Sequence, residues 1–322
     1  MNLTDTLALF GASLAISLPI FGWVMLGVLL NRFGWLPQWL IDRVSRLAFN
    51  IFLPIILFTS AATVDYTHLG GAHYLYAGIL STLVVTLMSW YYSLWRGHLQ
   101  EHRGIFVQAA FRSNLAIVGL ALAISAYGDR GPQLAALPVA LMTALYNVLA
   151  VGVLNSTLGA SNSVAGIALG ILRNPLIVGI AAGVVFSLSG LPMPELMEPV
   201  NRGLSTFFLP MMLMCIGGSM RLSGLGRTGM IAWESTAWRL CVSPALTVLL
   251  ALALGVQGET LGVLFLLVST PAAASGFVMV VAARGDGVLA ANIVVLTTLM
   301  SMVTVTIGFF LLSLFGLVGR LA

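Results

Sequence analysis

FRSNLAIVG (residues 111–119) sets an arginine, a serine and an asparagine inside a run otherwise apolar enough to seek lipid or core. An arginine at the centre of a membrane helix costs about 2.5–3.5 kcal/mol on insertion scales, so it is retained where it faces protein or a water-filled cavity. Arg112 is therefore expected to face inward, and the reading of this stretch decides what the surrounding helices are for.

The wider composition supplies the lipid. The chain of 322 residues is 59% hydrophobic and 7% charged, with a mean hydropathy of +1.04, which is the composition of an integral membrane protein. Fourteen arginines, no lysine and ten acids leave a net charge of +4. The arginines are scattered without a basic run, so nucleic acid is not expected as a partner. The start, MNLTDT, lacks the basic residues of a secretory signal and reads as part of a retained first span. Cys215 and Cys241 fall in apolar segments far from any CxxC pattern and read as packing residues.

A spanning helix needs roughly 20 apolar residues, and windows of that kind fall near 8–30, 39–61, 72–95, 104–127, 132–155, 167–189, 199–219, 229–254, 260–283 and 288–317. The sequence thus predicts an all-α integral membrane protein of ten transmembrane helices. With the N-terminus outside, the cytoplasmic connections hold Arg32, Arg43, Arg96, Arg103, Arg173, Arg221, Arg227 and Arg284. The basic imbalance places both termini outside a cell (inner) membrane.

A repeat underlies the ten spans. At a shift of 156, LIDRVSRLAFNIFLPIIL (40–57) lies on LMEPVNRGLSTFFLPMML (196–213), with Arg46/Arg202, Phe52/Phe208, Leu53/Leu209 and Pro54/Pro210 coinciding; Gly27/Gly183 keep the same shift. At 157, SNLAIVGLALAISAYGD (113–129) lies on TPAAASGFVMVVAARGD (270–286). The halves are 1–157 and 158–322. Five spans per copy is an odd number, so the second copy enters the membrane inverted, the architecture of alternating-access transporters whose site lies where broken helices meet.

On that alignment Ser113 meets Thr270 and Asn114 meets Pro271. Pro271 removes a donor and clashes with the preceding turn, a penalty of about 3 kcal/mol inside a helix. Helices four and nine are expected to be interrupted and to cross. Ser113 and Asn114 can bond their own backbone, and Gly119, with Gly276 at its repeat position, eases unwinding. Half-helix N-termini there favour a carboxylate, so Ser113, Asn114, Ser269, Thr270 and Pro271 are candidate binding residues for a small anion.

FRSNLAIVGLAL (111–122), LRNPLIVGIAAG (172–183), FLPMMLMCIGGSM (208–220) and STPAAASG (269–276), in this order, resemble the auxin efflux carrier family, whose bacterial members include malonate- and malate-type permeases. The resemblance implies helices 1, 2, 6 and 7 as a scaffold, helices 3–5 and 8–10 as a moving transport unit, and a homodimer. It adds Asn147 of LYNVLAVG (145–152) to the binding residues and Arg239 of the eighth span as a residue that attracts substrate or braces the moving unit. FRSN lacks the Asn-Pro-Asn crossover of the plant exporters, which argues against auxin as substrate.

Arg112, Asn50, Thr206, Arg239 and Ser301 are candidates to line the cavity or set its potential, although interhelical hydrogen bonding accounts equally for the polar ones. HLQEH (98–102) carries two histidines at helical spacing but reads as a solvated turn, with no third ligand for a metal. The expected function is carriage of a small organic anion by alternating access, with no cofactor beyond a coupling proton or sodium ion. The rivals are a sodium- or proton-coupled antiporter, for which Glu234 is the acid well inside a span, and an intramembrane enzyme, which lacks a buried base.

Overall fold

Three prolines shape the long helices before any tertiary contact does. A proline inside a helix has no amide to donate and its ring presses on the carbonyl four residues back; a wide π-turn ahead of it relieves both problems. In the computed structural model such turns occupy Ala48–Phe52 ahead of Pro54, Leu204–Phe208 ahead of Pro210 and Trp238–Val242 ahead of Pro244. The first two stand 156 residues apart, the shift at which the two sequence stretches match.

The structure describes residues 3–63, 72–159, 166, 169, 172–220 and 229–319. Among these the secondary structure is helical, apart from one bridged pair, Ser113 with Ala272. In chain order the helices are α1 (Leu3–Arg32), α2 (Gln38–Ala62), α3 (His73–Trp95), α4 (Gln100–Phe111), α5 (Leu115–Tyr127), α6 (Arg130–Leu158), α7 (Pro175–Leu188), α8 (Pro199–Gly218), α9 (Met230–Ala253), α10 (Glu259–Val268), α11 (Ala274–Ala282) and α12 (Gly287–Leu314).

Seven of these, α1, α2, α3, α6, α8, α9 and α12, are each long and apolar enough to cross a membrane. Of the ten windows predicted from sequence, 104–127 and 260–283 are split into α4 with α5 and α10 with α11, and 167–189 begins in residues outside the described set and leaves α7. Large apolar side chains such as Leu87, Leu249 and Val303 are more than half exposed, whereas the buried set includes serines, threonines and two arginines. That distribution suits a chain solvated by lipid.

The most extensive packing joins α1 to α8 and α2 to α7, and the same close contact is made in both. A methyl group built on Gly27 of α1 would strike the Met214 carbonyl of α8, and one built on Gly183 of α7 would strike the Phe58 carbonyl of α2. Gly27 and Gly183 are 156 apart, as are Phe58 and Met214. Small residues that admit a neighbouring backbone are how membrane helices gain packing in the absence of a hydrophobic force between them. Between these pairs, the rings of Phe52 and Phe208 meet with centroids 3.7 Å apart.

Gly183→Val is expected to destabilise the protein by about 3 kcal/mol, the upper part of the overpacking range, because backbone rather than a flexible side chain stands in the way. Thermal unfolding in detergent reads the effect, with Gly22→Ala, where nothing lies within 4 Å of the added methyl, expected to unfold at the wild-type temperature.

Candidate functional site

The two interrupted helices meet at their breaks. Helix α4 ends at Phe111 and α10 at Val268. The Asn114 amide donates to the Pro271 carbonyl at 2.9 Å, and the Ala273 amide donates to the Arg112 carbonyl at 3.0 Å. Thr297 of α12 closes a third vacancy, its hydroxyl oxygen accepting from the Ala272 amide at 3.1 Å. Backbone freed from a helix at membrane depth must find partners within the protein, and each break finds them largely in the other.

Beside this junction lies a cavity of about 310 Å³. Its wall includes Arg112, Ser113, Asn114 and Asn147, the first turn of α5, residues Ala273, Ala274 and Ser275 leading into α11, and Asn174. The N-terminal ends of α5 and α11 therefore both front the same space. Arg112 is 7% exposed; its Nη2 donates to Asn147 Oδ1 at 2.8 Å and its Nε to Ser275 Oγ at 3.2 Å. The Ser113 hydroxyl pairs with Tyr146 OH at 3.0 Å rather than with its own backbone. Among the described residues, no acid lines it.

The remaining candidates lie elsewhere. Ser269 and Thr270 are fully buried behind the junction, their hydroxyls donating to the Leu266 and Leu267 carbonyls, and Pro271 contributes its carbonyl to Asn114. Ser301 is fully buried and bonds the Thr298 carbonyl. Asn50 bonds the Arg46 carbonyl at an exposed hollow. The interruptions cover residues 112–114 and 269–273, so Gly119 ends the wide turn that follows one break and Gly276 stands in the first turn of α11. A methyl on Gly119 would come within 2.9 Å of the Leu267 side chain and 3.2 Å of its Cα, so this glycine serves the close approach of α5 to α10.

Arg239 is fully buried and does not reach the cavity. Its Nη1 donates to the Ala110 carbonyl at 3.0 Å, and its Nη2 donates to the Ser243 hydroxyl and the Val268 carbonyl. It thus binds the C-terminal ends of α4 and α10 together. The wide turn Trp238–Val242 carries it there. Each such helix end holds about half a negative charge, so one guanidinium balances the pair.

Glu234, the acid placed within a span by sequence, stands in the opening turn region of α9 and is held by Arg96 and by His98 Nε2 at 2.9 Å. Hydrogen bonding and the charge of Glu234 raise the Arg96 guanidinium above its ordinary value. His98 corrects the reading of HLQEH as a solvated turn: its side chain is 6% exposed, bonded to Ser93 and packed on Tyr92 and Phe106.

Sequence reasoning passed over Tyr146, Ser275, Asn174 and Cys215 of the cavity wall. Asn174 carried a signal, since Asn-Pro ahead of an apolar run marks a helix start; its Oδ1 accepts from the Leu176 amide at 3.0 Å. Cys215 read as packing and is indeed buried, but it also borders the cavity.

A second cavity, of about 430 Å³, is lined by residues that include Thr59, Ser60, Thr63, Asn201, Arg202 and Thr206. Adding 156 converts Thr59, Ser60 and Thr63 into Cys215, Ile216 and Ser219, and subtracting it converts Asn201 into Ser45, all four of which line the first cavity.

Arg239→Met is expected to lower stability by about 3 kcal/mol, since two buried carbonyls each lose a charged donor, while leaving the cavity wall unaltered. Thermal unfolding in detergent checks it, and an unfolding temperature equal to that of the wild type would show that the carbonyls are satisfied in another way.

The family model described as Membrane transport protein (Mem_trans) matches residues 14–308, a stretch that holds both interruptions and both cavities. No curated protein matches the chain. With the seven apolar helices long enough to cross a bilayer, the match establishes a multi-pass membrane protein that belongs to the membrane transport family, that of the auxin efflux carriers.

Proposed function

We propose that the chain is a secondary transporter of a small organic anion, a carboxylate or dicarboxylate, working by alternating access. The observation that carries this reading is the junction itself: two interrupted helices hydrogen-bonded at their breaks, with the starts of α5 and α11 lining one cavity. Helix N-termini favour anions, and discontinuous helices at a repeat interface are where transporters hold substrate.

An inverted duplication into 1–157 and 158–322, with ten spans in all, is supported by the wide turns and the glycine contacts that recur at a shift of 156. The two cavities, lined by equivalent positions of α2 and α8, are the shape such a duplication gives to paths on opposite faces. In this reading α1, α2, α7 and α8 form the scaffold and the other helices the moving unit. The cavity at the junction is bordered by Ser45, Asn174 and Ser219, close to the arginine-rich connections, so the positive-inside rule makes it the cytoplasmic path. The setting would be the inner membrane with both termini outside.

Against an antiporter built on Glu234 stands its pairing with Arg96 and His98 away from the cavity. An intramembrane enzyme is disfavoured because no histidine or carboxylate lines the cavity to act as a base. Coupling needs no acid, because unwound carbonyls can bind sodium.

In proteoliposomes under imposed pH or sodium gradients, the purified protein is expected to move at least one of labelled malonate, malate, succinate and indole acetate. Asn114→Ala is expected to slow that flux by roughly tenfold to a hundredfold, the worth of one hydrogen bond to a charged group. Absence of flux for all four acids would refute the reading, and an unchanged variant would remove Asn114 from the site.

A further inference from the structure

Buried charges in proteins are paired or neutralised, because an isolated one is too costly to keep. Two buried arginines flank the junction, and their circumstances differ. Arg239 is balanced by the two helix ends whose carbonyls it binds. Arg112, 7% exposed, has no such counter-charge. Its partners are the neutral oxygens of Asn147 and Ser275, no ion pair among the described residues involves it, and its Nη1, like the Nε of Arg239, is buried without a hydrogen-bond partner. Of the nearby helix ends, those fronting the cavity are N-terminal and add about half a positive charge each, while the C-terminal end of α4, which Arg112 directly follows, is already bound by Arg239.

We infer that Arg112 is the residue that pairs with the substrate's carboxylate, and that the missing counter-charge of its guanidinium is the substrate itself. The assignment rests on the carrier reading above and names the group that selects for charge. Asn147 and Ser275 are positioning residues: they hold the guanidinium by Nη2 and Nε and leave Nη1, enclosed in this conformation, as the unpaired donor of a planar group suited to carboxylates. Their neutrality is required by the scheme. A carboxylate at position 147 would occupy Arg112 permanently, and the cavity would lose its preference for anions.

The test compares wild type, Arg112→Gln, Arg112→Lys and Asn147→Asp in proteoliposomes supplied with labelled malonate and labelled succinate, together with the unfolding temperature of each in detergent with and without malonate or its neutral diamide. Malonate is expected to raise the wild-type unfolding temperature and the diamide to leave it unchanged. Arg112→Gln and Asn147→Asp are expected to lose that rise and to slow flux about tenfold or more, with Arg112→Lys between them and the wild type. Asn147→Asp adds an internal ion pair and so decides the matter if Arg112→Gln fails to fold. Wild-type flux of either acid with Asn147→Asp transporting as fast as the wild type would overturn the assignment of Arg112 alone; a wild type that moves neither of these acids, nor malate or indole acetate, would overturn the carrier reading and this inference with it.

Discussion

Two backbone hydrogen bonds, from Asn114 to Pro271 and from Ala273 to Arg112, set the terms for everything around them. Inside a bilayer an unpaired amide or carbonyl costs several kcal/mol, so neither helix could break at this depth unless the other broke beside it. The junction is therefore a mutual arrangement, with Thr297 accepting from the Ala272 amide that lies between the two bonds. Once both helices stop and restart there, four helix ends are brought to one place with their dipoles in opposite senses. The C-terminal ends draw in Arg239, and the N-terminal ends face the cavity with Arg112.

The separation of the two arginines follows from that sorting of dipoles. A cation is stabilised at a helix C-terminus and repelled from an N-terminus; Arg239 binds the two C-terminal ends, whereas Arg112, which directly follows the end of α4, turns its guanidinium to Ser275 at the start of α11. Arg239 is accordingly a structural element, fully buried and engaged with carbonyls. Arg112 is held in place by neutral oxygens alone, which is the condition of a group whose charge is meant for something else.

Much of this was legible in the sequence, and for identifiable reasons. Pro271 announced one break because proline's missing donor is independent of context, and its alignment with Asn114 announced the other. Pro54 and Pro210 stood out only as matching residues, and the wide turns ahead of them were visible in the structure alone. What stayed hidden depended on side-chain direction. Ser269 and Thr270 looked as suitable as Ser113, yet their hydroxyls turn back onto the preceding turn, a local preference of Ser and Thr that spacing does not reveal. Tyr146 and Ser275 entered the wall only through contacts between distant helices. His98 was misread because a loop position does not disclose that the loop folds under Tyr92 and Phe106.

The two cavities share their positions but not their chemistry. Thr59 and Ser60 on one side stand where Cys215 and Ile216 stand on the other, so two hydroxyl-bearing positions of one wall become sulfur and hydrocarbon in the other, while Thr63 and Ser219 keep a hydroxyl in both. For a carrier, such inequality cannot drive a net current, because detailed balance ties the maximal rates and half-saturation constants of the two directions to the gradient alone. In a carrier built as proposed, it does allow the two faces to saturate at different concentrations, so that each can be tuned to the compartment it meets.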